Sequence, residues 1–261
     1  MRWLERTTPR PEAGWRLICF PHEGGSARFF DTWGDRLTGT EVYAVRYPGR
    51  GPRSDEPCPT EVHQLAAAIA RAVLPLADRP VALFGHSLGA WVAFETARWL
   101  QRAGSPVGHL FASGAHAPQT RTGLGAGRTP YGHDAVAAAL VEIGGRDGRQ
   151  LLDPALRRMV LPYVTADHRM LDGYVYRQGP PLDCPVTTVV GVSDPHVTPR
   201  DTAAWARLTR HGHRGYTAPG GRLYLTAHPP LRLIEAVSAP VAAPVAAPAP
   251  VPAGAGAPHR S

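Results

Sequence analysis

The chain has 261 residues and a formal net charge of +7, carried by 28 Lys+Arg residues that are all arginine. This length suits one sizeable domain, with or without an inserted cap, and a domain of this size needs neither disulfides nor metals to build its core. The arginines are spread out rather than gathered with aromatic residues, so nucleic-acid binding is not expected, although a positive field favours an acidic partner. No apolar stretch approaches the ~20 residues of a membrane helix, so we expect no membrane association.

The remaining compositional signals concern compartment and cofactors. The three cysteines, Cys19, Cys58 and Cys184, are scattered without metal-ligand spacing, which favours a reducing cytoplasm. Residues 1–11 are charged and broken by prolines, which is not the pattern of a secretory signal. No ligand set for a metal ion or a redox cofactor is visible, and we expect none.

Apolar runs and helical periodicity predict strands that alternate with helices along the chain. Strands are predicted at residues 16–20, 41–47, 81–84, 107–113, 185–192 and 215–218. Helices are predicted at residues 27–37, 60–76, 199–208 and 230–237, with Thr60 as the N-cap of the second. A further helix is predicted to follow the turn after residue 84 and to continue through residue 100. Each strand is apolar through its length, which predicts a mainly parallel sheet covered by helices on both faces.

Changes in composition divide the chain. We expect an N-terminal extension at residues 1–13, a core at 14–114 and 182–238, a lid at 115–181 and a disordered Ala/Pro-rich tail at 239–261. In the lid, glycine and proline interrupt short helical pieces at 134–143 and 154–163. The alternative for this region is a second small layer with its own core and no role in access to the site.

One motif carries the chemistry of the chain. Residues 85–89 read Gly-His-Ser-Leu-Gly, between an apolar strand and a helical pattern. This is the G-x-S-x-G nucleophile elbow, in which Ser87 sits at the tip of a tight turn and at the start of a helix. Free backbone N–H groups at that helix start favour a developing negative charge. The alternative is an ordinary glycine-rich turn, which the flanking strand and helix disfavour.

An elbow serine needs a base and an acid that orients the base, and in this fold the acid precedes the base along the chain. Asp194 directly follows the predicted strand 185–192, where ligands gather at the carboxyl ends of parallel strands. Asp194 therefore matches the acid. The alternative is an aspartate that caps a turn before Pro195.

Taken together, the motifs resemble the type II thioesterases, stand-alone enzymes that serve polyketide synthases and non-ribosomal peptide synthetases. The resemblance spans about residues 14–237, and its matching pieces are Pro21-His22, Gly24-Gly25-Ser26, Pro48-Gly49-Arg50-Gly51, Gly85-His86-Ser87-Leu88-Gly89, Ser113-Gly114, Leu161-Pro162, Asp167, Tyr174, residues 180–185, Asp194-Pro195 and Trp205.

The resemblance implies an α/β-hydrolase fold: a mostly parallel central sheet flanked by helices, with a helical lid insertion. It also implies hydrolysis of acyl thioesters presented on the phosphopantetheine arm of an acyl or peptidyl carrier protein, by a monomer without a cofactor of its own. Ser87 would be the nucleophile and Asp194 the acid, and the backbone N–H groups of Glu23 and Leu88 would hold the oxyanion.

Two departures from the family pattern fall around Ser87. The family has its catalytic histidine in a Pro-Gly-Gly-His stretch, and here Arg222 stands in that place. Arginine does not lose its proton at working pH, so Arg222 is not a general base. The family usually has a small residue where this chain has Glu23. Our hypothesis is that Glu23 and Arg222 face each other and were exchanged together.

Several readings of the altered site stay open. His228, six residues after Arg222, is a candidate replacement base. His22 and His86 flank the expected site as candidates for substrate binding, with packing or loop bonding as the simpler role. Alternatively, Glu23 acts as acid/base and Arg222 binds a carboxylate or polarises a carbonyl, which would allow cyclisation, dehydration, epimerisation or acyl transfer. A non-catalytic protein that binds a carrier protein, and slow hydrolysis by Ser87 without a strong base, are the remaining readings.

Overall fold

The computed structural model describes residues 2–120 and 153–238. The strands of this part of the chain are β1 (Leu4–Arg6), β2 (Trp15–Phe20), β3 (Thr40–Val45), β4 (Val81–His86), β5 (His109–Ser113), β6 (Val186–Gly191) and β7 (His213–Ala218). Its α-helices are α1 (Trp33–Arg36), α2 (Val62–Val73), α3 (Leu88–Arg102), α4 (Pro154–Asp172), α5 (Pro199–Thr202) and α6 (Leu231–Ser238). Short 3₁₀ helices lie at Ala27–Phe30, Gly51–Arg53, Leu74–Leu76, Pro118–Thr120, Ala203–Leu208 and Tyr224–Thr226.

The strands form a seven-stranded sheet in the order β1-β3-β2-β4-β5-β6-β7. All neighbouring strands pair in parallel except β1, which pairs antiparallel with β3. The predicted mainly parallel sheet of an α/β-hydrolase is therefore confirmed. Gly85, near the end of the central strand β4, lies between Phe20 of β2 and Ala112 of β5. The carboxyl ends of these strands thus meet at one edge of the sheet.

Two apolar cores cover the two faces of the sheet, and their origin is visible in β2. Ile18 points into the core that contains α2 and α3, whereas its neighbours Leu17 and Cys19 point into the core that contains α1 and α6. Successive side chains of a strand point to opposite faces, so a strand buried on both faces is apolar throughout. This explains the continuous apolar runs in the sequence.

Four local expectations differ from the structure. Residues 1–13 were expected as an extension, but β1 lies within them and forms the edge of the sheet, with Leu4 only 2% exposed. The helix predicted at 27–37 is a 3₁₀ turn followed by the four-residue α1, and the helix predicted at 199–208 is likewise the short α5 followed by a 3₁₀ turn. Helix α2 begins at Val62 with Glu61 in the N-cap position, without a side-chain cap bond, so Thr60 as N-cap is wrong.

The described part of the expected lid packs on the core. Helix α4 continues well beyond the predicted end at 163, with Pro162 inside it, and Val164 and Met170 on its inner face are buried. Tyr174, after this helix, stacks on Trp91 of α3 with ring centroids 5.2 Å apart. The predicted helical piece at 134–143 and the predicted tail at 239–261 lie outside the described residues. None of the described helices combines the length and the apolar character required to span a bilayer.

Candidate active site

Ser87 occupies a strained turn between β4 and α3. Its backbone has φ 51° and ψ −118°, and it is the only residue other than glycine with positive φ in the described parts of the chain. An L-residue is held in this region only when its surroundings determine it, and such strain clusters at functional sites. The Ser87 N–H donates to the Ser113 carbonyl over 2.8 Å, which fixes the turn to the neighbouring strand. The serine is 7% exposed, at the N-terminus of a 15-residue helix.

The two glycines of the motif permit this turn for steric reasons. A Cβ atom added at Gly85 would collide with the backbone of Gly89, the second residue of α3. A Cβ atom added at Gly89 would collide with the carbonyl of Phe20 on β2. The strand and the helix therefore approach each other more closely than side chains would allow, which is the geometry of a nucleophile elbow.

Arg222, in the loop after β7, reaches into this turn. Its Nη2 donates a hydrogen bond to the Ser87 hydroxyl oxygen over 2.7 Å, and the same nitrogen forms an ion pair with Oε1 of Glu23. The expected Glu23–Arg222 pair is therefore present in the structure. The serine hydroxyl is bonded to a group that donates hydrogen bonds and has no lone pair with which to accept a proton.

Electrostatics keep both members of this pair ionised. Burial alone would raise the pKa of the Glu23 carboxyl, but the charge of Arg222, helped by His22 and His168, outweighs it and holds that pKa well below its usual range. In return, the charge of Glu23 raises the pKa of Arg222 against the effect of burial. At neutral pH the carboxylate is a weak base and the guanidinium is a fixed cation.

Asp194 follows β6 and lies next to the loop that contains Arg222, since the N–H of Ser193 donates to the Gly220 carbonyl over 3.0 Å. Its Oδ1 accepts hydrogen bonds from the backbone N–H groups of His196, over 2.9 Å, and Val197, over 3.2 Å. Its buried Oδ2 has no hydrogen-bond partner among the described residues. The charge of Asp194 adds to the raised pKa of Arg222, so the two side chains share one electrostatic environment. Asp194 thus offers an acceptor where a triad acid would bond its imidazole.

Comparison with known proteins identifies the family of the chain. Residues 15–240 match the family model described as "Thioesterase domain". The chain belongs to the thioesterase family. The thioesterase is 38% identical to "Thioesterase PikA5" of Streptomyces venezuelae over 85% of its own length and 80% of that protein. It is 36% identical to "Probable cadicidin biosynthesis thioesterase" of Streptomyces griseus over 87% of its length, but spans only 63% of that relative.

Solved structures give the same result for this thioesterase. The type II thioesterase BorB from the borrelidin biosynthetic cluster superposes with a TM-score of 0.83 at 34% identity, over 91% of this chain and 98% of that one. The thioesterase RedJ from the prodiginine biosynthetic pathway in Streptomyces coelicolor superposes with a TM-score of 0.79 at 34% identity, over 87% and 91%. The α/β-hydrolase fold of a type II thioesterase is therefore shown.

The two backbone N–H groups expected to hold the oxyanion are those of Leu88 and Glu23. Leu88 is the first residue of α3, and the N–H groups of a first helical turn have no acceptor within their helix. Glu23 lies in the loop after β2, and its own backbone N–H contributes to the low pKa of its carboxyl. The carboxylate therefore lies close to the N–H that would hold the oxyanion, and Arg222 neutralises its charge there.

The three histidines considered from the sequence have different surroundings. His86 is fully buried, its Nδ1 lies 2.8 Å from the Ser113 hydroxyl, and burial lowers its pKa to about 3, so it is neutral. The half-buried His22 packs edge-on against His86 and Phe29. The rings of His22 and His86 therefore make packing and loop contacts. Within the described residues, no hydrogen bond joins either ring to Ser87. The exposed His228 donates its backbone N–H to Tyr224, and no described contact links its ring to the site.

Three further side chains reach the loop that contains Glu23. Asp167 and Arg50 bond its backbone directly, and His168 is close enough to lower the pKa of Glu23. The motif resemblance included Asp167 and Arg50 but gave them no role, because their partners are distant in sequence. For His168, the only signal in the sequence was its position next to Asp167, which could have indicated that it lies near Glu23. Within residues 2–120 and 153–238, no group of three His, Cys, Asp or Glu side chains is arranged to hold a metal ion.

Proposed function

We propose that this thioesterase acts on acyl groups carried as thioesters on the phosphopantetheine arm of a carrier protein in polyketide or non-ribosomal peptide assembly, as a cytoplasmic monomer. The single observation that carries the proposal is the strained Ser87 at the N-terminus of α3. The N–H groups of a first helical turn have no acceptor within their helix and can bind a negative oxygen. The printed names of three similar proteins, which refer to cadicidin biosynthesis, the borrelidin biosynthetic cluster and the prodiginine biosynthetic pathway, support the choice of substrate.

In the proposed reaction, the Ser87 oxygen attacks the thioester carbonyl, the C–S bond breaks, and the serine proton passes through solvent to the departing thiolate of the arm. The N–H groups of Leu88 and Glu23 stabilise the negative oxygen of the tetrahedral intermediate. Water then attacks the acyl-serine ester and releases the free acid. Arg222 stabilises negative charge on the serine oxygen but does not accept its proton. Hydrolysis therefore proceeds slowly, since an oxyanion hole and binding alone retain only part of the catalysis of a full triad.

The test is incubation of the full chain with an acyl-loaded carrier protein, followed by mass spectrometry of the small molecule and of the protein. We expect free acid, and an acyl group on Ser87 that Ser87→Ala removes. Asp194→Asn serves as a second variant that leaves the serine in place. The absence of both free acid and acyl-enzyme, in a folded protein, would overturn the proposal.

A second candidate function follows from the bridge between Ser87, Arg222 and Glu23. Within the described residues, no hydrogen bond joins a base to the serine hydroxyl, which instead bonds a partly buried cation that is paired with a buried carboxylate. In this alternative, Arg222 polarises a substrate carbonyl and Glu23 transfers a proton, in cyclisation, dehydration, epimerisation or acyl transfer on a carrier-bound intermediate. Its signature is a product lost in Glu23→Ala and Arg222→Ala but retained in Ser87→Ala. A protein that only binds its carrier would tolerate all three substitutions.

A further inference from the structure

The loop that contains Glu23, residues 21–26, is held from outside by two buried side chains. Oδ2 of Asp167, on the lid helix α4, accepts the backbone N–H of Gly24 over 2.9 Å. Nη1 of Arg50, in the turn after β3, donates to the carbonyl of Gly25 over 2.9 Å. The two residues that directly follow Glu23 are therefore fixed by side chains from two other segments of the chain.

Arg50 and Asp167 also bind each other. Nη1 of Arg50 donates to Oδ2 of Asp167 over 2.7 Å, and Nη2 of Arg50 bonds Oδ1. Asp167 is 0% exposed and Arg50 is 5% exposed, and the guanidinium lies 4.5 Å from the centre of the Tyr163 ring. Paired, charge-assisted bonds have a defined geometry, and a buried pair has no water to replace a lost partner. The pair is thus a rigid support for the loop.

We propose that Arg50 and Asp167 are positioning residues, which hold the backbone N–H of Glu23 where it stabilises the oxyanion. The N–H of Glu23 shares one planar peptide with the carbonyl of His22, and that carbonyl accepts the N–H of Gly25 over 3.0 Å. Fixing Gly24 and Gly25 therefore also sets the orientation of the Glu23 N–H. Tyr47 supports the start of the same loop, since its hydroxyl donates to the Pro21 carbonyl over 3.2 Å. This inference rests on the proposed function, because it assigns a role to residues that act on the oxyanion through the loop.

The inference predicts that the variants lose stabilisation of the transition state and keep their binding of the substrate. Removal of one oxyanion donor costs about 10²–10³ in kcat, so a misplaced donor should cost roughly tenfold or more. Asp167→Asn keeps the side-chain shape and removes the charge, and Arg50→Lys keeps the charge and removes the paired geometry. For each variant we expect kcat to fall roughly tenfold or more while KM stays within about threefold of wild type.

Two ligands separate oxyanion binding from ordinary binding and need no turnover. An alkyl boronic acid forms a tetrahedral adduct with Ser87 that places an oxygen in the oxyanion hole. A thioether analogue of an acyl pantetheine binds without such an oxygen. We expect both variants to weaken boronate binding roughly tenfold and to leave thioether binding within about twofold. Two independent variants also guard against one that fails to fold.

Glu41→Gln is the matched control. Glu41 is a buried carboxylate that bonds Tyr43 over 2.9 Å and pairs with Arg16, at the opposite end of the sheet from Ser87. This variant should lose stability as the others do, with both ligand affinities unchanged. Equal losses of both affinities in Asp167→Asn and Arg50→Lys, or no loss of either, would overturn the inference. A wild-type protein that forms no boronate adduct at Ser87 would instead contradict the proposed function.

Discussion

The guanidinium of Arg222 donates a hydrogen bond to the Ser87 hydroxyl over 2.7 Å. In a serine triad this position belongs to an imidazole that accepts the serine proton. The same arginine pairs with Glu23 and lies within the electrostatic influence of Asp194. If Asp194 is the acid, as we propose, the site differs from a triad in one functional group and in the carboxylate that balances its charge.

The first prediction concerns the exchange of both unusual residues. In the double variant Glu23→Ala/Arg222→His, an imidazole can bond Ser87 on one side and the unpartnered Oδ2 of Asp194 on the other. A positioned general base contributes typically 10²–10⁴-fold, so we expect hydrolysis of a short acyl thioester to rise roughly 10²-fold. Steady-state kinetics on the wild type, both single variants and the double variant measure the change.

The single variants are the controls for this exchange. Glu23→Ala leaves the partly buried guanidinium of Arg222 without its carboxylate, and Arg222→His leaves the buried carboxylate of Glu23 beside the new imidazole. Loss of one partner of a buried ion pair costs about 3–5 kcal/mol, so each single variant should be less stable than the double variant. Additive effects of the two substitutions on rate and stability would show that Glu23 and Arg222 are not coupled.

The second prediction concerns His228. Its side chain is exposed and no described contact joins its ring to Ser87, Asp194 or Arg222. We therefore expect His228→Ala to leave the rate of Ser87 acylation within about twofold of wild type, as is usual for a surface substitution away from the site. Rapid-mixing mass spectrometry of the acyl-enzyme measures this rate. A large loss in a normally folded variant would make His228 the replacement base.

Whether a feature could be predicted from the sequence depends on how far apart along the chain its residues lie, and on whether each of them is unusual at its position. The elbow at Ser87 is a local pattern of five residues between a strand and a helix, and its steric requirements are written in its two glycines. The Glu23–Arg222 pair spans 199 residues, yet it could be predicted because two opposite charges replaced family residues on both sides of one serine.

Other features leave no such local signal. Strand β1 has three residues, and only its pairing with β3 makes it part of the sheet. The bond from Gly24 to Asp167 spans 143 residues, and a glycine N–H gives no indication of its acceptor. The start of α2 is set by packing of Val62 into the core, against the capping preference of Thr60. Tertiary contacts decide each of these, and propensity does not.

The third prediction concerns the pH dependence of stability. Burial lowers the pKa of His86 to about 3 and that of His109 to about 4, against about 6.5 for an unfolded histidine. Between these values the unfolded chain binds more protons than the folded chain, so stability is lost as pH falls below about 6.5. The slope approaches about 1.4 kcal/mol per pH unit for each such histidine. Urea unfolding at several pH values between 6.5 and 4.5 measures it.

His86→Asn tests whether part of this pH dependence of stability comes from His86. The substitution removes a titrating group, so the dependence on pH should become shallower by the contribution of one histidine, whatever the change in absolute stability. The low pKa of Glu23 acts in a more acidic range, because its contribution is retained above the unfolded value of about 4.3 and is lost only below it. An unchanged slope in His86→Asn would contradict the lowered pKa, since it would mean that His86 binds its proton equally well in the folded and the unfolded chain.

The fourth prediction concerns the close contact between α3 and β2. In Gly89→Ala, the added methyl group meets the carbonyl of Phe20, which belongs to the backbone and has no other rotamer to adopt. The start of α3 must move away from the sheet, so we expect a loss of about 1–3 kcal/mol in unfolding free energy. Ser87 moves with the helix, and its acylation should slow by about 10-fold or more, because misplacement by about 1 Å costs up to 10²-fold.

Gly39→Ala is the matched control for this substitution. Gly39 has no atom within 4 Å of an added Cβ and no positive φ, so the change should leave acylation unaffected and stability within about 0.5 kcal/mol. Denaturant unfolding and labelling of Ser87 by a fluorophosphonate probe provide the two measurements. Normal labelling in Gly89→Ala would contradict the argument, since it would mean that the elbow tolerates a side chain where the structure leaves no room for one.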